Sequence, residues 1–373
     1  MKYLKLSEIC NPKQWKTLST EQLLDKGFPV YGANGKIGYY STYNHELPTI
    51  MITCRGATCG SINISEPKSW INGNAMCLDN LSSDVSLKYL AFYLQNYNFN
   101  HVISGSAQPQ ITREGLEKVK VKVYAKELQE KISIQLDKVQ KIISESKAIL
   151  EKYDTLIKSR FIEMFGDPVQ NPMGWEVKKL GKMCSAIMNG TTPKGGEQVY
   201  VENGITFLRS QNVWRNKIDL DDVAYIDEAT HKSMKKSSLK KYDILMTKTG
   251  RINTENSSLG RAALFLGEDD SANINGHVYL IRLEKEYNHE FVIRILTSPE
   301  YCDYIRSICV GGIDKRQVNK DHIEEFPIIQ PPKELQDEYS TFVQQIDKSK
   351  FAVQKALEKA ETLYKSLMQQ YFA

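Results

Sequence analysis

The chain is poor in the features that mark secreted, membrane-spanning and metal-stapled proteins. It has seven cysteines, an odd number, and no two of them form a Cys-x-x-Cys pair. The closest two, Cys54 and Cys59, are followed by no histidine at zinc-finger spacing. The longest apolar runs, such as 89–94, are too short to span a bilayer, and residues 1–10 lack a secretory signal. These absences predict a reduced, cytoplasmic protein with buried or idle thiols.

The chain also lacks a strong excess of charge of one sign. Its 49 basic and 45 acidic residues leave a formal net charge of +4. Residues 1–125 carry +4, residues 126–166 carry +1, residues 167–332 carry −1 and residues 333–373 are neutral. A stand-alone nucleic-acid-binding protein normally has a clear basic excess. Charge alone therefore does not indicate nucleic acid, and tight binding to it would need phosphate contacts from a partner.

Motifs of known catalytic sites are missing as well. There is no phosphate-binding P-loop, and the glycine-rich stretch 32–38 is a poor dinucleotide fingerprint. Residues 171–174 (Asn-Pro-Met-Gly) lack the Pro-aromatic pair with which adenine methyltransferases hold a flipped base. The acidic runs at 221–222 and 268–270 have no suitably placed lysine-bearing strand beside them, as a metal-dependent nuclease would need. We therefore expect a non-enzyme, or a non-catalytic subunit of an enzyme.

What the chain does contain is an internal duplication. Shifted by 207 residues, the segment 110–166 aligns without a gap on 317–373. The segments before these repeats match far more weakly, although Ile-Asn-Gly-Asn at 71–74 resembles Ile-Asn-Gly-His at 274–277. The order is therefore variable part, repeated part, variable part, repeated part. Two diverged modules on a common frame indicate two different targets.

Each repeated part predicts one long helix, because apolar residues recur at alternating steps of three and four. In the first repeat the apolar seam comprises Leu128, Ile132, Leu136, Val139, Ile143, Leu150, Tyr153, Ile157 and Phe161, with Ser146 filling one position. In the second repeat the seam, interrupted by Lys350, comprises Leu335, Tyr339, Val343, Ile346, Val353, Leu357, Ala360 and Tyr364. Gly166 is expected to end the first helix, and Pro331-Pro332 precede the second.

The variable parts are expected to mix short strands with helices. Thr49–Thr53 and Tyr242–Thr247 are predicted to be buried strands. Leu87–Asn96 and Glu290–Leu296 are predicted to be helices that close each module.

Connectivity then predicts the arrangement. The first helix leads into the second variable part and the second helix leads out of it, so the two helices must be antiparallel if they pack together. The predicted fold class is α+β: two α/β modules separated by two long antiparallel helices that form a coiled coil, as a pseudo-twofold internal repeat. The predicted segments are 1–125, 126–166, 167–332 and 333–373. An ordinary helical hairpin joining two domains is the open alternative.

The junctions between these parts resemble a known family. Gly-Ser-Ala-Gln-Pro-Gln-Ile at 105–111, before Lys-Glu-Leu-Gln at 126–129, is similar to the close of a target-recognition domain in the specificity subunit of type I restriction–modification enzymes. The junction Phe-Gly-Asp-Pro at 165–168 and the segment Pro-Val-Tyr-Gly at 29–32 are similar to that family too. The second copy, 311–318, keeps the Gly and Gln but not Ala-Gln-Pro. The resemblance covers nearly the whole chain.

The resemblance implies that residues 1–125 and 167–332 are target-recognition domains, each reading one half of a bipartite site in double-stranded DNA. The helices would set the unread gap; forty helical residues span roughly 60 Å, or on the order of 17 base pairs. Two methyltransferase subunits carrying S-adenosylmethionine would dock and methylate adenine, and restriction translocase–endonuclease subunits would join to cut unmethylated DNA. This chain would hold no catalytic residue, cofactor or metal of its own.

Base recognition uses Arg or Lys against guanine and Asn or Gln against adenine. In the first module the candidates are Asn34, Lys36, Arg55, Asn72, Asn74, Gln108 and Gln110. In the second module they are Lys194, Arg209, Gln211, Asn212, Lys248, Arg251, Lys315 and Arg316. Because Gln110 and Gln317 match across the repeat, we expect them to serve the shared frame more than base recognition. Expected phosphate contacts are Lys235, Lys236, Lys240 and Lys241.

Two other interpretations stay open at this point. The chain could be an enzyme, such as a fused nuclease that reads and cuts, although the missing catalytic motifs oppose it. It could also be a structural adaptor whose modules grip proteins, which a DNA footprint with two short protected blocks would reject.

Overall fold

The computed structural model describes residues 1–105, 109–252, 254, 256–312 and 315–372. The chain divides into two compact units, Met1–Ile149 with Val353–Ala373, and Leu150–Ala352. Each long helix contributes one part to each unit. None of the helices in the described ranges is long and apolar enough to cross a membrane.

The first unit, apart from the long helices, combines short strands with three α-helices in the part that the structure describes. Its strands are β1 Lys2–Lys5, β2 Asn11–Lys13, β3 Phe28–Gly32, β4 Gly35–Tyr40, β5 Ile50–Thr53, β6 Ile62–Ile64, β7 Trp70–Ile71, β8 Ala75–Asp79, β9 Ile103–Ser104, β10 Gln110–Ile111 and β11 Lys120–Val123. Its helices are α1 Leu6–Ile9, α2 Leu87–Asn96 and α3 Arg113–Glu117. The first long helix, α4, spans Lys126–Phe165.

The core of the first unit has two layers of sheet and one of helix. An antiparallel sheet of order β2-β8-β5-β6 lies between a smaller sheet, β4-β3-β7, and the helices. Strand β5 is buried along its whole length, and its residues alternate between the two faces. Ile50 and Ile52 pack with the helical core, whereas Met51 packs with Tyr31 of the smaller sheet. This alternation explains why β5 is apolar throughout.

The second unit repeats this plan with additional elements. Its strands are β12 Glu176–Lys179, β13 Cys184–Asn189, β14 Tyr200–Val201, β15 Ile205–Leu208, β16 Val213–Trp214, β17 Lys217–Ile218, β18 Ala224–Ile226, β19 Ile244–Thr247, β20 Thr249–Gly250, β21 Ala262–Leu264, β22 Ala272–Ile274, β23 Val278–Leu283, β24 Val310–Gly312, β25 Lys315–Gln317 and β26 Pro327–Gln330. Its helices are α5 Glu228–Ser233, α6 His289–Thr297, α7 Pro299–Ile308 and α8 Lys320–Glu324. The second long helix, α9, spans Lys333–Phe372.

The sheets of the second unit correspond to those of the first. The order β13-β23-β19-β21 matches β2-β8-β5-β6, and the parallel pair β15–β22 matches the parallel pair β3–β7. Strand β12 pairs with β26 as β1 pairs with β11. The predicted strands and closing helices are therefore confirmed as β5, β19, α2 and α6, and the repeat extends through the variable parts.

The long helices pack against each other in antiparallel fashion within each unit. In the first unit the Tyr371 hydroxyl donates to Gln135 Oε1 at 2.9 Å, and Lys147 pairs with Glu361. Residue numbers thus rise along α4 as they fall along α9. In the second unit Asp154 pairs with Lys350, and Arg160 pairs with Glu338. The predicted antiparallel coiled coil is confirmed in this form, with charged pairs flanking the seam.

The observed seam differs from the predicted one at its first position. Ile132, Leu136 and Val139 are buried as expected, but Leu128 is 41% exposed. Gln129 takes the buried place instead, because its side chain bonds the Tyr124 and Asp84 carbonyls and the Ser86 amide. The polar residue is thus buried to satisfy backbone groups of the preceding loops.

Gly166 ends the first long helix as predicted. Its φ of +75° lies in the left-handed region that side chains disfavour. A Cβ at this position would also lie 2.9 Å from Pro172 Cγ. The Trp175 indole then donates to the Phe165 carbonyl at 3.0 Å, which closes the helix end.

Candidate nucleic-acid interface

A Thr-x-x-Gly turn leaves the central strand of each unit at the same point. The Thr53 hydroxyl donates to the Ala33 carbonyl, and the Thr53 carbonyl accepts from Gly60 at 2.8 Å. In the second unit the Thr247 carbonyl accepts from Gly260 at 3.1 Å in the same way, and the Thr247 hydroxyl donates to the Ser258 carbonyl. The residues that follow each threonine are therefore carried on equivalent turns.

The matched glutamines border these turns. Gln110 is bridged to Arg55, and the next residue, Ile111, donates to the Cys54 carbonyl at 3.0 Å. Gln317 pairs with Thr249, and the Val318 amide donates to the Lys248 carbonyl, also at 3.0 Å. Both glutamines thus occupy equivalent positions in the shared frame.

In the first unit, three predicted residues lie on exposed turns around this point. Asn34, in the β3–β4 turn, accepts a hydrogen bond from the Thr58 hydroxyl at 2.6 Å. Arg55 is exposed on the Thr-x-x-Gly turn. Asn74 is exposed too, and its carbonyl accepts from the Cys54 amide at 3.3 Å. The fold therefore brings Asn34, Arg55 and Asn74 to the loops around one turn.

Lys36 lies on the neighbouring strand β4. Its Nζ lies 4.4 Å from the Tyr39 ring centroid and 3.8 Å from Glu66 Oε1. The hydrogen bond with the Tyr39 side chain, followed by the Glu66 charge, raises the pKa of Lys36. The ammonium is therefore held as a cation on an exposed strand.

Two predicted amides have structural roles instead. Asn72 is 3% exposed and its side chain bonds the backbone of Leu18 through both amide atoms. Asn212 is 2% exposed and bonds the Arg209 amide and the Asp219 carbonyl. Because both amides are buried and bound to backbone groups of their own unit, neither is placed to contact a base, and the structure does not support them as base-reading residues. Gln108 lies outside the described residues.

In the second unit, three predicted residues line one polar groove. This Arg251 groove, of about 580 Å³, is lined by Ser210, Gln211, Thr249, Gly250, Arg251, Thr254, Asn256, Ser257, Ser258, Arg261 and Lys315. Its lining includes two residues of the Thr-x-x-Gly turn, Thr249 and Gly250, and two exposed cations, Arg251 and Lys315. The groove offers the forked donors that base edges accept.

Arg209 shares a partner, Asp222, with the groove residue Gln211. Its Nη2 donates to the Asp222 carbonyl at 2.9 Å and lies 3.2 Å from the Asp222 carboxylate. The same carboxylate accepts from Gln211 at 2.9 Å. The Gln211 bond, and then the Arg209 charge, lower the pKa of Asp222. Arg209 therefore orients Gln211, and this acidic run is part of a hydrogen-bond network.

The other candidates of the second unit are more dispersed. Lys248 Nζ lies 5.4 Å from the Tyr279 ring centroid, and Arg316 donates to the Cys309 carbonyl at 3.1 Å. Lys194 is exposed in a turn that lines neither this groove nor its neighbour. The four lysines expected at phosphates are all exposed: Lys235, Lys236, Lys240 and Lys241.

A second groove contains residues that the sequence patterns did not single out. This Trp214 groove, of about 410 Å³, is lined by Trp214, Arg215, Lys217, Asp219, Asn256, Ser257 and Arg261. It shares Asn256, Ser257 and Arg261 with the Arg251 groove. An aromatic residue and two basic residues within the four positions 214–217 were the available signal, because this combination is common at nucleic-acid contacts.

One cluster in the first unit has potential metal ligands, His45, Cys77 and Asp79. The His45 ring bonds Asn44 Oδ1 at 2.6 Å and Asp79 Oδ1 at 3.0 Å. The second Asp79 oxygen accepts from the Trp15 indole at 3.0 Å. Burial, followed by the Asp79 charge, raises the pKa of the Cys77 thiol, which disfavours the metal-binding thiolate. His45 and Asp79 are thus joined in a hydrogen-bond network with Asn44 and Trp15.

Comparison with known proteins is consistent with this architecture. The family of the type I restriction modification DNA specificity domain matches residues 1–152 and 172–361. The chain is 22% identical over 202 residues to a protein of Methanocaldococcus jannaschii named as the type I restriction enzyme MjaX specificity subunit, covering 54% of this chain and 46% of that one. It is 23% identical over 332 residues to a Haemophilus influenzae protein named as specificity subunit S.HindORF215P, covering 85% and 79% respectively.

Solved structures show the same fold. The S subunit of a type I restriction–modification system from M. genitalium superimposes with a TM-score of 0.71 at 14% identity, covering 100% of this chain and 96% of that one. A chain from a study of complex assembly and conformational transition in the type I R-M system gives 0.51 at 14% identity, covering 100% and 97%. The family match over most of the chain, together with the duplicated frame, shows that this protein belongs to the type I restriction–modification DNA specificity family.

Proposed function

We propose that the chain is the DNA-recognition subunit of a type I restriction–modification complex, in which each module reads one half of a bipartite site. The observation that carries the proposal is that the two units share one frame but present different polar residues on it. Arg55 and Asn74 flank the turn of the first unit, whereas Arg251 and Lys315 flank that of the second. Different donors on equivalent turns would select different bases.

In this proposal the segments 1–125 and 167–332 are the reading modules, and the helices at 126–166 and 333–373 set the gap between the half-sites. The chain contributes no bond chemistry. Two methyltransferase subunits supply S-adenosylmethionine and methylate adenine, and translocase–endonuclease subunits join them to cut unmethylated DNA. The complex acts on double-stranded DNA in the cytoplasm.

The surface of the long helices supports docking of the methyltransferase subunits. In the first unit, α4 exposes Ile142 and Ile149, which lie seven residues apart and outside the coiled-coil seam. In the second unit, α4 exposes Leu156 at the next heptad position. A second apolar stripe on a helix that already packs along one seam is typical of a partner-binding face.

Module exchange tests the proposal. Residues 1–125 are replaced by the corresponding module of another family member, the chain is expressed with its methyltransferase, and single-molecule sequencing maps the methylated adenines. We expect one half of the recognised sequence to change and the other half to stay. The matched control replaces residues 167–332 and should change only the other half. A change in both halves after either exchange would contradict the modular reading.

A further inference from the structure

The Trp214 groove combines an exposed basic hairpin with a buried arginine. Strands β16 and β17 form the hairpin, and its residues Arg215 and Lys217 are exposed. Arg261 lies beneath them, 8% exposed, with its guanidinium carbon 3.8 Å from the centroid of the Trp214 ring. The stacked indole holds the guanidinium plane in place.

Arg261 is anchored to neutral groups. Its Nε donates to the Ser257 carbonyl at 2.9 Å, and its Nη2 donates to the Asn256 carbonyl. No carboxylate of the described residues lies within ion-pair distance of it, and its Nη1 has no hydrogen-bond partner among those residues. Burial, and then the charge of Arg215, lower the pKa of Arg261. An anion at this point would compensate a buried positive charge.

The charges of the lining residues also favour an anion in the Trp214 groove. Arg215, Lys217 and Arg261 face a single lining carboxylate among the described residues, Asp219, which is 4.0 Å from Lys217 Nζ. The described lining residues of the groove therefore carry a net positive charge although the segment 167–332 as a whole is slightly acidic. A local cluster of guanidinium and ammonium groups is suited to phosphate oxygens.

The described part of the first unit lacks this basic hairpin and its buried arginine. The Thr53 amide donates to the Ser61 carbonyl of the first unit. At the equivalent point of the second unit, the Thr247 amide donates to the Arg261 carbonyl. Ser61 thus stands at the position of Arg261. No strand pair of the described first unit corresponds to β16–β17.

We propose that the Trp214 groove is a phosphate-binding subsite of the second unit, which grips the DNA backbone beside the bases that the Arg251 groove contacts. Arg261 is its buried anchor, and Arg215 and Lys217 are its exposed arms. The inference rests on the proposed DNA-reading function. The Trp214 groove would supply sequence-independent affinity for DNA, and the Arg251 groove would supply the preference for a base sequence.

The test measures binding of the assembled complex with its methyltransferase subunits to two duplexes across a salt series. One duplex carries the methylated motif found by sequencing, and the other lacks it. In the double variant Arg215→Gln/Lys217→Gln, affinity for both duplexes should fall by the same factor, on the order of ten-fold. The slope of log K against log salt should decrease by about two. Arg261→Gln should lower the slope by about one.

The charge-matched control is Lys232→Gln/Lys285→Gln, two residues that line neither groove. Its slope should equal that of the unaltered complex. The inference is overturned if the Arg215/Lys217 variant keeps the unaltered slope, if its loss is confined to the motif duplex, or if the control shows an equal loss. The thermal unfolding curve of Arg261→Gln shows whether this variant still folds. If it does not fold, the exposed double variant Arg215→Gln/Lys217→Gln alone tests the inference. An unaltered complex that binds neither duplex would instead contradict the proposed function itself.

Discussion

The same strand position carries opposite charges in the two units. Asp79 ends β8 of the first unit, and Arg282 occupies the equivalent place in β23, because Thr53 pairs with Ala75 as Thr247 pairs with Val278. Asp79 accepts from Trp15 and contacts His45, whereas Arg282 binds Asp243 through two hydrogen bonds of 2.7 and 2.6 Å. The two units thus share the strand pairing at this position, but the polar residues that contact the strand end differ.

This comparison shows why the duplication is weak in the variable parts. A buried charged group is stable only with its partners in place. A single substitution at the position of Asp79 or Arg282 would leave its hydrogen-bond partners without the charged group, so we expect substitutions within each network to be coupled. The units therefore preserve backbone geometry and strand order while their side chains diverge.

The largest expected difference between the units concerns the matched phenylalanines that end the two long helices. Phe165 is fully buried, with ring centroids 5.2 Å from Phe161 and 4.9 Å from Phe291. Phe372 is 9% exposed and packs on Tyr89 and Tyr93. Phe165→Ala should destabilise the second unit by about 3–5 kcal/mol, and Phe372→Ala the first unit by about 2–3 kcal/mol.

Hydrogen exchange followed by mass spectrometry measures this difference, since peptides report on each unit separately. Leu363→Ala, at an exposed site on the second long helix, is the control for the loss of a large apolar side chain. Equal losses for Phe165→Ala and Phe372→Ala would show that the two helix ends are not packed differently.

A smaller difference is expected from the two charge networks. Asp243 is 1% exposed and also accepts from the Lys240 amide at 2.7 Å. Asp243→Asn should cost about 2–3 kcal/mol, because it leaves the Arg282 cation without its carboxylate. Asp79→Asn should cost about 1–2 kcal/mol, because one of its partners is the neutral Trp15 indole. Urea titration of each variant, followed by unit-specific exchange, tests the order; a larger loss for Asp79→Asn would reverse the comparison.

The smallest expected difference is a pH dependence confined to the second unit. Burial lowers the pKa of His289, partly opposed by a hydrogen bond that its ring donates to the backbone carbonyl of Tyr287 and by the charge of Asp243. Since the folded pKa lies below the unfolded value of about 6.5, the unfolded state binds the proton more readily. Stability is therefore complete above about pH 6.5 and decreases as the pH falls below it.

Exchange rates of second-unit peptides at pH 7 and at about pH 5.5, corrected for intrinsic exchange, measure this loss. His289→Gln should remove part of the stability loss of the second unit at low pH and leave the stability of the first unit unchanged. The neighbouring Glu290 acts in the opposite direction, because burial raises its pKa and acid neutralises it. A His289→Gln variant with an unaltered pH profile would show that this histidine does not contribute.

Much of the architecture follows from the sequence alone. The 207-residue repeat and the three-four spacing of apolar residues predicted both long helices and their antiparallel packing. The strands over 50–53 and 244–247 and the helices that close each module were predictable too. These features are local or periodic, so neighbouring residues along the chain are enough to define them.

Only the tertiary structure decided which polar residues face outwards. Asn72, Asn74 and Asn212 look alike in the sequence, yet Asn74 is exposed and the other two are buried in backbone hydrogen bonds. Arg261 and Trp214 are 47 positions apart along the chain, and the contact of the β16–β17 hairpin with β21, where the Asn216 amide donates to the Ala262 carbonyl at 2.9 Å, brings them together. The orientation of a loop side chain depends on which distant strand supplies the loop with its hydrogen bonds, and no local pattern carries that information.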